Sequence, residues 1–375
     1  MIPFNKPTFS GNDLDYFAQA MAGGHSSGNG PFTRRAEKLL EEIHGGGTAL
    51  LTTSCTHALE MSARLLDLQP GDEVIVPSYT FVSTASAFMW NGARPVFADV
   101  DEQTLNIDPD SVESLITDRT RAICIVHYAG VGAQPERFVD LATKYSLTLI
   151  EDNAHGLGAS HNGKALGTFG SMSTLSFHET KNITCGEGGA LIINNPALVE
   201  RAEILREKGT NRTNFLRGHV DKYTWVDNGS SWVISDLLAS LLTGQLERTQ
   251  QINANRVGLW NRYFDSLHDW ATASNIALPH VPTSSQHTGH MFHLRVKSRE
   301  TRDRFINHMK ERGIAAVFHY QSLHKSPVGV ILEENTRSCP NSDLASETLV
   351  RLPMFAGLRE DQQKSVIDAV MDFRI

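Results

Sequence analysis

A chain of 375 residues, 40% of them hydrophobic and 20% charged, exceeds what one hydrophobic core supports, so two domains are expected and disorder is not. Its formal charge of -8 argues against binding to nucleic acid or an anionic membrane, which needs a basic face. Cys55, Cys124, Cys185 and Cys339 are widely spaced without a CxxC pair, which indicates neither a zinc knuckle nor a disulfide framework and fits a reducing cytoplasm.

The start, Met1-Ile-Pro-Phe-Asn-Lys-Pro7, lacks a signal-peptide pattern, and no run of about 18 apolar residues follows anywhere. After this irregular opening, residues 34–43 predict an amphipathic helix, Gly45-Gly-Gly47 breaks it, and 49–52 form a short strand. Ser54-Cys-Thr56-His57 opens the next helix. Strands then alternate with helices: strand 73–77, helix 83–91, strand 95–99, helix 111–116, strand 122–126, helix 137–144 and strand 147–150. A further strand at 190–194 precedes a helix at 196–207. This alternation predicts an α/β domain whose mostly parallel sheet is covered on both faces, with ligands at the C-terminal strand ends.

Residues 208–231 are rich in Gly, Asn and Arg without periodicity, and so read as a long surface loop, where function often collects. From Ser235 a single helical pattern runs to about Leu267. It contains the expected boundary between a large domain, 1–247, and a smaller α+β domain, 248–375. The latter is predicted from a strand at 290–296, a helix at 301–312 and a final helix from Glu360.

Two stretches carry chemistry. Leu147-Thr-Leu-Ile-Glu151-Asp152 delivers an acid at the end of an apolar strand, and Ser176-Phe-His-Glu-Thr-Lys181 places a lysine just before the turn Gly186-Glu-Gly-Gly189. A pyridoxal 5'-phosphate (PLP) site needs an amine to hold the cofactor aldehyde and an acid to keep its pyridine nitrogen protonated. It also needs a stacking ring, for which Phe81 or Tyr79 stands, and phosphate donors, for which the helix opening at Ser54 to His57 and Ser176 stand. Taken singly, each residue has a plainer reading. Lys181 could be a solvated surface charge, Asp152 and Thr56 helix caps, and Phe81 core.

Two other patterns lead elsewhere. Gly158-Ala-Ser-His-Asn-Gly163-Lys164-Ala165 departs from a phosphate-binding P-loop at Ala165, and its Asn162-Gly163 pair predicts a hairpin. His287, His290 and His293 lack an acidic partner and read as scattered polar histidines rather than metal ligands.

Gly71-Asp-Glu-Val-Ile75, Thr80-Phe81-Val82, Val126-His-Tyr-Ala-Gly130, Glu151-Asp-Asn-Ala-His155, Ser176-Phe177 to Lys181, Gly186-Glu-Gly-Gly189 and His319-Tyr320 with Leu323-His324 follow one another over essentially the whole chain. In these motifs the sequence resembles the DegT/DnrJ/EryC1/StrS sugar aminotransferases. That resemblance implies a fold type I, aspartate aminotransferase-like PLP enzyme. It implies that Lys181 holds the cofactor aldehyde, Asp152 faces the pyridine nitrogen, His155 neighbours the phenolic oxygen and Phe81 stacks on the ring. Thr56, His57 and Ser176 would hold the phosphate. Many members add an Asn from a Gly-Tyr-Asn-Tyr-Arg segment of a second subunit, and here Gly229-Ser-Ser-Trp-Val233 puts Ser231 in that place.

The resemblance further implies a homodimer with shared active sites, L-glutamate as donor and a dTDP-4-keto-6-deoxy sugar as acceptor. The acceptor is suggested by Ser54-Cys-Thr56, Glu207-Lys-Gly-Thr-Asn-Arg212, Val220-Asp-Lys-Tyr-Thr-Trp225 and Gly229-Ser-Ser231. Arg212, Arg217 and Lys222 are candidate contacts to the nucleotide diphosphate, against an ordinary solvated loop. His319, Tyr320 and His324 fall near the sugar by resemblance, with satisfied structural histidines as the alternative. Lys181 argues against the family's dehydratases, which carry histidine there, and against a non-catalytic binding protein.

Overall fold

In the computed structural model, which describes residues 1–332 and 338–374, the alternating pattern builds a seven-stranded sheet. In chain order the strands are β1 (Thr48–Thr52), β2 (Glu73–Pro77), β3 (Arg94–Ala98), β4 (Thr120–Val126) and β5 (Thr148–Asp152). A small hairpin, β6 (Ser160–His161) and β7 (Lys164–Ala165), precedes β8 (Met172–Ser176) and β9 (Gly189–Ile193). The order across the sheet is β1-β9-β8-β5-β4-β2-β3. Only β9 opposes its neighbours, and every other adjacent pair is parallel.

Successive residues of these strands face opposite layers, which is why the strands are apolar throughout. Val74, Val76, Ala122, Cys124 and Ile150 pack with Leu59, Met61 and Phe88 from the helices Cys55–Leu65 and Ser83–Trp90. The intervening Ile75, Ile123, Ile125 and Leu149 pack on the other side with Phe138 and Leu141 of the helix Pro135–Tyr145. The parallel strands therefore present their C-terminal ends on one edge, where Asp152 and Ser176 stand.

The Asn162-Gly163 turn adopts φ of 47° and 78° and pairs Ser160 with Ala165 and His161 with Lys164, the primed-turn geometry that pair favours. The hairpin gains a third strand, β10 (Ser285–Gln286), against β6.

Several expectations change. The opening segment contains a helix, Asp13–Ala22. Its anchor is tertiary: the fully buried Asp13 carboxylate accepts from Ser10 N at 2.8 Å, Gln245 Nε2 at 2.6 Å and Arg248 Nη2 at 2.8 Å. Gly244 permits this, because a Cβ there would lie 2.4 Å from Asp13 Oδ1. The single helix predicted from Ser235 is two, Asp236–Leu246 and Thr249–Ser274. They part where Arg248 turns toward Asp13 and Thr249 Oγ1 donates to the Leu246 carbonyl at 2.8 Å.

The helix predicted at 111–116 runs Pro109–Glu113, started by Asp108, whose side chain accepts from Asp110 N. The stretch read as a long loop holds a short helix, Arg212–Leu216, and the bridges Glu207–Ser231 and Thr210–Trp225. The strand expected at 290–296 shrinks to β11 (His293–Arg295), paired antiparallel with β12 (Leu349–Arg351).

Around this pair lies a second core of Leu259, Tyr263, Phe292, Phe305, Val350 and Phe373, against which Ile2 packs. On this separation of cores we propose the division into 1–247 and 248–375, with the first residues crossing to the second unit. No helix among the described residues is long and apolar enough to cross a membrane.

Candidate active site

Strand β5 ends in two carboxylates that alternation sends to different surroundings. Glu151 is fully buried and accepts from His127 Nε2 at 2.8 Å and from the amides of Gly167, Phe169 and Gly170, each at 2.7 Å. Burial alone would raise its pKa, but these donors hold it below the usual carboxylate range. Glu151 therefore fastens the strand end. Asp152 enters the cavity with fewer donors: Thr84 Oγ1 gives 2.8 Å to Oδ2, Ala154 N gives 3.2 Å to Oδ1, and Thr80 backs Thr84 at 2.9 Å. Burial raises its pKa, opposed by the Thr84 hydroxyl and the charge of Lys181.

Lys181 sits on a turn in which its own amide donates to His178 O at 2.9 Å. The next residue pins that turn, since Asn182 Nδ2 donates to Thr288 O at 2.9 Å and to Asn253 Oδ1 at 3.1 Å. Burial against the cavity wall lowers the lysine pKa, Cys55 and Asp152 pull it back up, and Arg351 pushes it down further.

The third component is a helix start. Ser54 Oγ accepts from His57 N at 3.1 Å and caps Cys55–Leu65. Gly189 is required beside it, because a Cβ would stand 2.3 Å from the Ser54 carbonyl carbon. The same glycine pairs with Ser176, so the helix start and the Ser176 hydroxyl line one cavity of about 810 Å³ together with Phe81, Asp152, His155 and Lys181. Thr56 lines it too, with Oγ1 2.7 Å from Ser83 Oγ. Phe81 is 57% exposed, an aromatic face left open at the cavity.

Other residues singled out in the sequence have other places. His319 and Tyr320 line the cavity, where His319 Nδ1 is hydrogen-bonded with the Tyr128 hydroxyl at 2.8 Å and the Tyr320 hydroxyl with His155 Nε2 at 3.3 Å. His324 is buried behind it, 2.6 Å from Ser78 Oγ. His57 turns to Thr53 and Glu60. Ser231 is exposed and bridges Glu207. Arg212 faces Glu207 at 3.8 Å, Arg217 pairs with Glu203 at 2.7 Å and Lys222 is exposed. His324, His57, Ser231, Arg212, Arg217 and Lys222 are not among the residues lining the cavity.

Thr84, Asn182 and Arg351 were not foreseen, and His290, read from the sequence as a scattered polar histidine, is buried at the cavity against His155. Thr84 and Asn182 act through neighbours and leave no motif of their own. Arg351 left one signal, a cation inside the apolar run Leu349-Val-Arg-Leu-Pro353.

The histidines on this wall form a pH-sensitive group. His290 stacks on His155 with centroids 4.2 Å apart and Nδ1 3.0 Å from Asn182 Oδ1. Burial lowers the pKa of His155, His290, His319 and His293, that of His293 to about 3. Unfolded, they would protonate near about 6.5, so below that pH the unfolded state binds more protons and stability falls. His293 alone is expected to cost about 2 kcal/mol between pH 6.5 and 5. Thermal melts should show Tm dropping over that interval, and a Tm independent of pH there would refute the neutral cluster.

A seven-stranded sheet with an acid at the end of β5 and a lysine just after β8 is the α/β fold of PLP-dependent aminotransferases. The chain belongs to the DegT/DnrJ/EryC1/StrS aminotransferase family, whose sequence profile matches residues 7–371. It is 32% identical over 357 residues to the uncharacterized protein MJ1066 of Methanocaldococcus jannaschii, covering 91% of this chain and 89% of that one. Its structure is similar to that of the aminotransferase TlmJ from Streptoalloteichus hindustanus, with TM-score 0.91, 29% identity and coverage of 99% and 98%. It is also similar to the PLP form of Spr1654 from Streptococcus pneumoniae, provisionally named a sugar aminotransferase, with TM-score 0.89, 26% identity and coverage of 99% and 97%.

Proposed function

We propose that this aminotransferase uses PLP to move an amino group from L-glutamate to C4 of dTDP-4-dehydro-6-deoxy-D-glucose, giving dTDP-4-amino-4,6-dideoxy-D-galactose. The observation that carries the reading is the meeting of Lys181, Asp152, the Ser54 helix start and the open face of Phe81 at one cavity. Each meets a different need of the cofactor: an amine for its aldehyde, an anion for its ring nitrogen, donors for its phosphate and a surface for its ring. The sugar assignment is supported by the motifs around Ser54, Arg212, Trp225 and Ser231 and by similarity to Spr1654.

When bound, PLP supplies an electron sink for bonds broken at the amino-bearing carbon. Asp152, whose carboxylate Thr84 fixes, would keep that sink effective by favouring the protonated, positively charged ring nitrogen. Thr56, Ser176 and the first amides of Cys55–Leu65 hold the dianionic phosphate. Lys181 Nζ takes the proton from the donor α-carbon and later delivers one to C4 of the sugar. A pKa lowered by burial favours the neutral amine that such work requires. The face of delivery sets the galacto or gluco product.

The protein is further proposed to work in the cytoplasm, in keeping with four free cysteines, and as a homodimer. Exposed Phe81, Trp90, Tyr223 and Trp225 support an interface. Ser231, which lies off its own chain's cavity, is proposed to serve a partner's, and Arg212, Arg217 and Lys222 are proposed contacts to the nucleotide diphosphate.

The test is incubation of PLP-loaded protein with L-glutamate and the keto sugar. The cofactor's visible band should discharge with glutamate, and NMR should show an axial C4 amine. An equatorial amine or a C3 amine would refute the galacto product, and the absence of a cofactor band would refute the class.

A further inference from the structure

A second cavity, of about 320 Å³, lies against the lysine turn. Asn5 and Lys181 border both cavities, and Asn5 Nδ2 donates to Glu179 O at 2.9 Å, so the N-terminal strap ties down on the turn between them. Asn182 and Thr184 of the turn line one part of the second cavity, and the helix Thr249–Ser274 lines another with Gln251, Asn255 and Arg256. Gln251 and Asn255 stand four residues apart on that helix, so their exposed amides share one face.

Arg256 is the feature that calls for a ligand. It is only 3% exposed, and its Nε donates to Gly289 O at 3.1 Å while Nη2 donates to His290 O at 2.6 Å and Met354 O at 3.3 Å. Those carbonyls use three of the five N–H groups of the guanidinium, which leaves the pair on Nη1 without a partner among the described residues. No carboxylate among the described residues pairs with it, and burial pushes its pKa down to about 10. A buried cation without a counter-charge is costly, and this one borders a cavity. Lys6, exposed and in no ion pair among the described residues, adds a second positive charge to the lining. Arg248 is taken by Asp13, and the one carboxylate in the lining is the exposed Glu179.

We propose that this cavity is a second ligand site, for a small polar molecule whose phosphate or carboxylate group is held by Arg256 and Lys6 while Gln251 and Asn255 take its polar body. The volume lies at the small end of ligand cavities. Substrate enters on the other side of the strap, so both sites can be filled at once. Because Asn182 lines the second site and also pins the lysine turn to Thr288, an occupant bears on that turn from behind.

The experiment titrates the PLP-loaded protein, whose cofactor phosphate site is taken, with inorganic phosphate and with malonate at low salt by calorimetry. Wild type is expected to bind one equivalent of at least one of them, phosphate indicating a phosphorylated ligand and malonate a carboxylic one. Asn255→Glu, which puts a negative charge into the lining, should weaken binding at least about 10-fold, and Lys6→Gln about 2- to 5-fold. Arg256→Gln should weaken it about 10- to 100-fold. That variant also gives up bonds to Gly289, His290 and Met354, so the two surface variants decide the matter if it does not fold. Cofactor retention and the KM for L-glutamate should stay within about twofold of wild type in Asn255→Glu and Lys6→Gln. Failure of wild type to bind either anion, equal binding by wild type and Asn255→Glu, or an anion that competes with L-glutamate would overturn the inference and leave the aminotransferase reading untouched.

Discussion

Lys181→Ala is expected to lower steady-state amino-sugar formation by at least about 1,000-fold while leaving the fold intact. The magnitude follows from losing both the amine that holds the cofactor and the proton carrier at the reacting carbon, the latter alone worth about 100- to 10,000-fold. Stability should move the other way. Burial lowers the lysine pKa, which means the charged amine is less favourable in the folded protein than in water. Alanine removes that penalty and keeps the turn, whose bonds come from backbone and from Asn182. Turnover by product NMR and Tm by calorimetry check the pair together. Retained turnover would remove Lys181 from the chemistry, and a collapsed Tm would assign the loss to folding.

How far the site could be read in advance depended on where its information resides. β2, β4 and β5 were legible because a strand buried on both faces needs an unbroken apolar run, and Val-Ile-Val and Ile-Cys-Ile-Val supply one. Asp152 and Lys181 stood out because each is a charge that interrupts or follows such a run. The Asp13 helix did not, since its anchor is an ion pair with Arg248, 235 residues away, and no local pattern encodes a distant carboxylate. For the same reason Gly189 reads as one more turn glycine until Ser54 is seen pressed against it. His324 shows the converse: its motif is plain in the sequence, but the fold gives the imidazole to Ser78 and Asp343, behind the cavity wall. Arg351 lay between these cases, visible as an oddity in an apolar strand, with its place at the cavity and its unpartnered, buried Nε apparent only in the fold.

Asp152→Asn is expected to cost about 100- to 1,000-fold in turnover, the scale of removing one preorganised electrostatic group from a buried site. Asparagine keeps the shape and an acceptor for Thr84 Oγ1, and it gives up the charge together with the longer 3.2 Å bond from Ala154 N. The cofactor-free protein should become more stable, not less. Burial raises the Asp152 pKa, so between the unfolded and folded values the folded state binds more protons. The stability Asp152 contributes is then full below the unfolded value near about 3.8 and is lost as pH rises through the folded one. At pH 7 the ionised carboxylate therefore opposes folding, and Asn removes the opposition. Glu151, one residue earlier, has the opposite balance, because four donors hold it ionised and its charge stabilises the fold. The measurement is Tm against pH for cofactor-free wild type and Asp152→Asn, alongside turnover of the loaded proteins. A variant whose Tm falls at pH 7 would show that Asp152 serves the fold, as Glu151 does. A Tm that holds or rises while turnover is lost would show a charge kept at a cost to stability because the ring nitrogen needs it.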